Sequence, residues 1–269
     1  MILRRIIAHF RKQDWFTVLV EFLIVVAGIF VGLQVNNWNE AARDRRAETQ
    51  YLSQLRGDLQ RIEGETAAQF DFERFHASLA GAVFDLIKHD NTKERGARIN
   101  AGLSQLTMRR TLRAESPTFV DLQSSGDLEI ISNAALRTDI IAYFAAMRRL
   151  EAALDKNNGY IVDDGFLAAM RAAGVQARPW NDALMSMSLP KSVAERRSFQ
   201  NEVLAMPLFS APAQTLSSPP EADFWAPSIV QLSWRAQGAA HNEGLADSMR
   251  SETRALELKI AEFLDGAGQ

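Results

Sequence analysis

Residues 15–35 constrain this chain more than any other stretch. Of these 21 residues 16 are apolar, and only Thr17, Glu21, Gly28, Gly32 and Gln34 interrupt them. As a helix the run is about 30 Å long, the thickness of a bilayer's hydrocarbon core. Trp15 and Trp38 bracket it, where indole rings favour the membrane–water interface. A core helix of a soluble protein and a cleaved signal peptide are the competing readings. A signal peptide has a shorter apolar region, followed by small residues at a cleavage site. The exit here is Gln34-Val35-Asn36-Asn37-Trp38, which offers no such site. The run therefore reads as an uncleaved signal anchor, a transmembrane helix over residues 15–38.

The flanks predict its direction. Upstream, Arg4, Arg5, Arg11 and Lys12 face a single acid, Asp14; downstream, Arg43, Arg45 and Arg46 are offset by Glu40, Asp44 and Glu48. The basic excess lies upstream, which favours a cytoplasmic N-terminus and an extracytoplasmic remainder. Ile2, Leu3, Ile6, Ile7 and Phe10 recur at helical spacing beside the basic residues. Residues 1–14 are thus expected to form a basic amphipathic segment drawn to anionic lipid. With so few residues before Trp15, signalling would require a partner span. Beyond residue 39 the chain carries 26 basic and 31 acidic residues, a mildly acidic body on a basic anchor. The formal charge of −3 for the whole chain gives no reason to expect a nucleic-acid partner. Zero cysteine excludes a disulfide framework, a thiolate zinc site and a cysteine nucleophile, and it fits either redox compartment.

Inside the span, Glu21, Val25, Gly28, Gly32 and Asn36 are spaced four, three, four and four, so they share one helix face. Gly28 and Gly32 form a GxxxG sequence, which lets two backbones approach closely. Glu21 lies about 9 Å inside Trp15 by helical rise, too deep to sit comfortably against lipid when ionised. Self-association of the spans through this face, or union with a partner span, would give it a protein neighbour. Two alternatives stand beside that: an ion-handling Glu21, and a Glu21 that snorkels to the headgroups beside a GxxxG of no consequence.

The remainder reads as helices. Leu52, Leu55, Leu59, Ile62 and Thr66, then Phe75, Leu79, Val83, Leu86 and Ile87, form an apolar stripe that predicts one helix from the membrane to His89. Gly57, Gly64 and Gly81 weaken it locally without ending it. A second helix is expected to carry Ile99, Leu103, Leu106 and Leu112 and to stop before Pro117. A short helix ending at Gly126 follows, then a long one from Asn133, which is placed to cap it. Asn157-Asn158-Gly159 is expected to break or kink that helix before a further run to Gly174. Residues 39–175 thus form a membrane-proximal helical region. Residues 176–227 hold seven of the eight prolines and so exclude a continuous helix; a short one fits within Lys191 to Ala205. Such a stretch is either a packed strap or a contact loop, with Phe209, Phe224 and Trp225 as possible partner contacts. A last helix over 228–265 and a tail at 266–269 complete the chain. No alternation of β-branched residues argues for a sheet. The expected fold is all-α: one N-terminal transmembrane helix followed by an elongated helical bundle with a long Pro-rich irregular strap.

Motifs for chemistry are sparse. Glu73 and His76 form one Glu-x-x-His pair, half of what a di-iron bundle needs, and no second pair occurs. An ordinary core or surface histidine explains it. No GxSxG elbow, P-loop, HExxH or calcium loop is present. Asp163-Asp164-Gly165 reads as a cap or turn, and Arg109-Arg110 and Arg148-Arg149 as solvated helix faces. The expectation is a protein that is not an enzyme and uses no catalytic residue, cofactor or metal.

Two segments resemble an uncharacterised family of short single-span bacterial membrane proteins, described only as a domain of unknown function. The first is EFLIVVAGIFVGLQVNNWNE, Glu21 to Glu40, followed by Tyr51-Leu52 and Leu55-Arg56-Gly57-Asp58-Leu59. The second is FVDLQSSGDLEIISNAALRTDIIAY, Phe119 to Tyr143. The resemblance covers about a quarter of the chain. It implies a bacterial inner-membrane protein with a periplasmic helical domain, carries no activity, and singles out Glu21 and Asn36 to Glu40. Asn37, Trp38 and Asn39 sit with Trp15 as membrane-interface anchors; their amides can bond across an oligomer or to neighbouring backbone. The expected function is a scaffold or interaction protein of the cell envelope, whose partners are the bilayer and a second copy or another membrane protein. A periplasmic ligand-binding or sensor module is the first alternative. A small oligomeric pore or ion-coupled unit built on Glu21 is the second.

Overall fold

A computed structural model describes residues 15–179 and 192–267, with side chains from Leu19 to Gly266. The basic segment 1–14 and the ring of Trp15 lie outside the described residues. Every regular element among those described is helical, and no strand occurs.

Helix α1, Trp15–His89, runs unbroken for 75 residues. The five residues of the first stripe, Leu52 to Thr66, and the five of the second, Phe75 to Ile87, are all buried, so periodicity located this face correctly. Helix α2, Arg95–Leu106, stops earlier than its apolar spacing suggests. The physical reason lies far away in sequence: the guanidinium of Arg235 donates to the carbonyls of Leu106 (2.8 Å) and Met108 (3.2 Å). These carbonyls find their partner in a side chain instead of in another helical turn. Leu112 is still buried, but from an irregular segment.

Helix α3, Pro117–Ser125, begins as its sequence implies. Ser116 Oγ accepts from the Phe119 amide, a proline occupies the first turn, and Gly126 closes the helix with φ of 81°. The cap is itself held from α1, because Asp58 accepts from the Ser116 hydroxyl (2.7 Å) and the Thr118 amide (3.2 Å). After a 3₁₀ turn, Asp127–Ile130, the buried carboxylate of Glu48 takes both the amide and the hydroxyl of Ser132.

Helix α4, Ala134–Asn157, is capped by Asn133, whose side chain accepts from the amides of Ala135 and Leu136. The expected break at Asn157-Asn158-Gly159 does not occur. The helix widens into a π segment, Asn158–Leu167, and resumes as α5, Ala168–Ala172. Asn breaks helices by bonding its own backbone; here Asn157 and Asn158 are both bonded to Asn242 instead. Helix α6, Val193–Leu204, opens with a Ser192–Glu195 capping box. A 3₁₀ turn at Gln214–Ser217 precedes the last helix, α7, Trp225–Ala267, which reaches into the expected tail.

α7 lies antiparallel along α1, as Arg56–Glu257 (2.7 Å) and Arg74–Glu243 (3.3 Å) demonstrate by their reversed order. Two hydrophobic cores form on this pair. One gathers Leu52, Leu55, Leu59 and Ile62 with Phe119, Ile140, Phe144, Met249 and Ile260. The other gathers Phe75, Leu79 and Val83 with Leu103, Phe166, Val203, Trp225 and Leu232.

Candidate functional site

The span face is assembled as its spacing requires, on one continuous helix. Glu21, Gly28, Gly32, Asn36, Asn37, Trp38 and Asn39 are all exposed, and a Cβ added at Gly28 or Gly32 would meet no atom within 4 Å. The exposed side chains from Leu19 to Val35 include Phe22, Leu23, Ile24 and Phe30, each more than half accessible. One helix among the described residues is therefore long and apolar enough to cross a membrane. At its exit, Asn36 Nδ2 donates to Glu40 Oε1 (2.9 Å), so part of the amide's capacity is satisfied one turn along. Trp38 is 70% exposed, with its ring free to lie at an interface.

The three aromatics of the Pro-rich stretch separate. Phe209 is exposed and Phe224 half-buried, but Trp225 is buried and is withdrawn from the contact set. Its indole Nε1 donates to the carbonyls of Ser218 and Pro219, and its ring packs under the guanidinium of Arg95. Arg95 in turn takes the carbonyls of Leu86 and Ile87 at the end of α1 and that of Ser218. One arginine thus satisfies a helix terminus and ties residues 216–219 across α2. Gly96 permits the approach: a Cβ there would collide with Ser217 Oγ at 2.4 Å.

A second constellation lies between the two cores, and it contains the Glu-x-x-His pair. Glu73 and His76 are fully buried on α1, together with Gln69, Gln105 of α2, Asn158 of the π segment, and Arg235 and Asn242 of α7. Glu73 Oε1 accepts from Gln69 (2.8 Å) and Asn242 (3.4 Å), while its Oε2 lies 3.9 Å from the Arg235 guanidinium. His76 Nδ1 faces the Phe72 carbonyl (2.8 Å) and Nε2 faces Gln105 Nε2 (3.3 Å). A carbonyl only accepts, so the proton is on Nδ1, and Nε2 accepts from the glutamine amide. Burial, reinforced by the charge of Arg235, lowers His76 to about 3, so the ring is neutral. Burial also pushes Glu73 up to about 7, against the pull of Arg235 and the amide donors. Both ring nitrogens of His76 are engaged within the protein, and no cluster of metal-ligating side chains occurs among the described residues.

Sequence spacing brought out Glu73 and His76 but not their partners: Gln69 and the Phe72 carbonyl lie one turn away, and Gln105 and Asn242 arrive from 29 and 169 residues away. The available signal was Arg235, a cation in an otherwise weakly charged stretch of α7. Asp163, expected in a cap or turn, lies within the π segment, half-buried, and pairs with Arg109 (3.0 Å), which stands in the irregular stretch after α2 and not on a helix face. Against family models, curated proteins and solved structures, the chain finds no match.

Proposed function

We propose that this chain is a membrane-anchored scaffold or interaction protein of the bacterial envelope. In this reading residues 15–38 lie in the inner membrane and the helical body stands in the periplasm as an elongated bundle. One observation carries it: α1 passes from a fully exposed apolar stretch into a stretch with one face packed against the body, without a break. A continuous helix transmits position and rotation, so whatever the span meets in the bilayer sets the orientation of the body. The glycine face, with no side chain of this chain against it, supplies a surface on which a second span can pack closely.

Cross-linking tests the reading. The chain has no cysteine, so a single thiol at Val25 reports on span proximity in cells. Disulfide-linked dimers are expected, and Gly28→Leu with Gly32→Leu is expected to abolish them. Undiminished dimer in the double variant would refute association through this face, and extraction of the chain by alkaline washing would refute the anchor. Orientation has its own probe. Ser217 is exposed, so Ser217→Cys is expected to react with an impermeant maleimide once the outer membrane is permeabilised. Protection there would reverse the topology.

A further inference from the structure

The buried layer is short of hydrogen-bond donors. Gln69 Oε1, Glu73 Oε2 and Gln105 Oε1 are fully inaccessible, and no donor among the described residues reaches them. Reassigning the amides does not remove the shortage. The Phe72 carbonyl fixes the proton of His76 on Nδ1, so Gln105 must turn its NH₂ to Nε2 and leave its oxygen without a donor. Gln69 turns its NH₂ to Glu73 Oε1, with the same consequence. Arg235 cannot make up the difference. Two of its nitrogens are committed to the Leu106 and Met108 carbonyls, and the third stands 3.9 Å from Glu73, beyond hydrogen-bonding distance. Three acceptors facing inward without a donor are a costly arrangement, since each gave up its hydrogen bonds to water on burial.

One change corrects most of it. A proton on Glu73 turns an acceptor oxygen into a donor, in a layer where the amide oxygens of Gln69 and Gln105 have none among the described residues. We infer that the layer between the two cores is a proton-binding site centred on Glu73, and that proton uptake there tightens the packing of α7 on α1. The groups facing Glu73 agree with this. From its own helix comes Gln69. One turn beyond Glu73 stands the neutral His76, which Gln105 of α2 bonds. From α7 come Arg235, Asn242 and Glu243, the last paired with Arg74. Arg178 bears on His76. The Arg235 guanidinium stands 3.9 Å from Glu73, too far for a hydrogen bond, and Glu243, also on α7, opposes ionisation. The site lies about 50 Å along α1 from Trp38, far from the lipid, and in the proposed topology it follows the pH of the periplasm.

The direction of the linkage is definite. The folded carboxyl sits near 7 and the unfolded one in the ordinary range near 4.5. Folding therefore takes up a proton between these values. The stabilisation is complete below the ordinary range and disappears as pH rises through about 7.

Infrared spectra of the full chain in detergent provide the test. At about pH 6 exposed carboxyl groups are ionised, so a carbonyl stretch of a protonated acid marks a buried one. Measured in chains carrying Glu21→Gln, so that the carboxyl of the span contributes nothing, that band is expected at about pH 6, lost by about pH 8.5, and absent once Glu73→Gln is added. Melting provides the second readout, because Gln mimics the protonated acid. The native chain should lose about 5 °C in Tm relative to Glu73→Gln between about pH 5.5 and about pH 8.5. A folded Glu21→Gln chain with no such band at about pH 6 would overturn the inference, since bound water would then be supplying the donors. So would a band that survives once Glu73→Gln is added, or melting curves that stay parallel across the range. If Glu73→Gln does not fold, the band and its loss in the Glu21→Gln chain alone decide the matter.

Discussion

The two halves of α1 share one backbone, yet they live by opposite rules. From Leu19 to Ala41 every described side chain is exposed; from Glu48 to His89 one stripe is buried against the rest of the chain. In the first half apolar residues occur all round the helix, a pattern that suits surroundings apolar on every side. In the second they are confined to one face, because only one face has a partner. Apolar residues make up 15 of the 23 residues 19–41 and 18 of the 42 residues 48–89, and their angular distribution narrows with their number.

The contrast is open to direct attack. Phe75→Ala removes a fully buried ring from the second core and should destabilise the body by about 3–5 kcal/mol. Leu23→Ala, in the exposed half, should leave the urea midpoint of the body unchanged. Equal effects would mean that the halves are not energetically separate. A glycine pair sharpens the comparison. Gly102→Ala would place its Cβ 2.4 Å from Val83 Cγ2 and 3.0 Å from Leu204 Cδ2, at a cost of about 1–3 kcal/mol. Gly28→Ala meets open space and should not lower that midpoint. Smallest is the cap: Ser116→Ala frees the Phe119 amide and one bond to Asp58, for about 1 kcal/mol by chemical denaturation.

Within the packed half a second difference appears. The first core is bordered by short local devices that a sequence announces, such as the Asn133 cap and the Ser116-Pro117 start with Gly126 at its end. These were legible because each depends on residues within one turn of the helix end. The second core depends on long-range satisfaction. The end of α2 was misplaced because Arg235, 129 residues distant, takes the Leu106 carbonyl. The Asn157-Asn158 break was misplaced because Asn242, 84 or 85 residues distant, claims both amides. Trp225 looked like a contact residue beside two prolines, but its indole donates to carbonyls of that same stretch.

The π segment and the polar layer meet at Asn158, which accepts from Asn242 and donates to the Arg110 carbonyl (3.1 Å). Wide turns of this kind appear where a helix must aim a side chain that regular geometry would turn elsewhere. Here that aim completes the polar layer between the cores, where a slip of α7 along α1 would separate Asn242 from both Asn158 and Glu73. Buried polar contacts of this sort specify register more than they add stability.

By itself the sequence determined the all-helical class, the one apolar run of membrane length, the course of α1, and most helix starts. These follow from interactions within a few residues: the 3.6-residue period, caps, and the φ demands of proline and glycine. It also placed Glu21, Gly28, Gly32 and Asn36 on one face, since a regular helix needs nothing else. Only the tertiary structure decided where α2 gives way to carbonyls held by Arg235. Only it brought six polar side chains from three other elements and their own helix around a buried glutamate. Composition cannot reveal such a layer, because a buried polar group is identified by which partners reach it, and that is a property of packing.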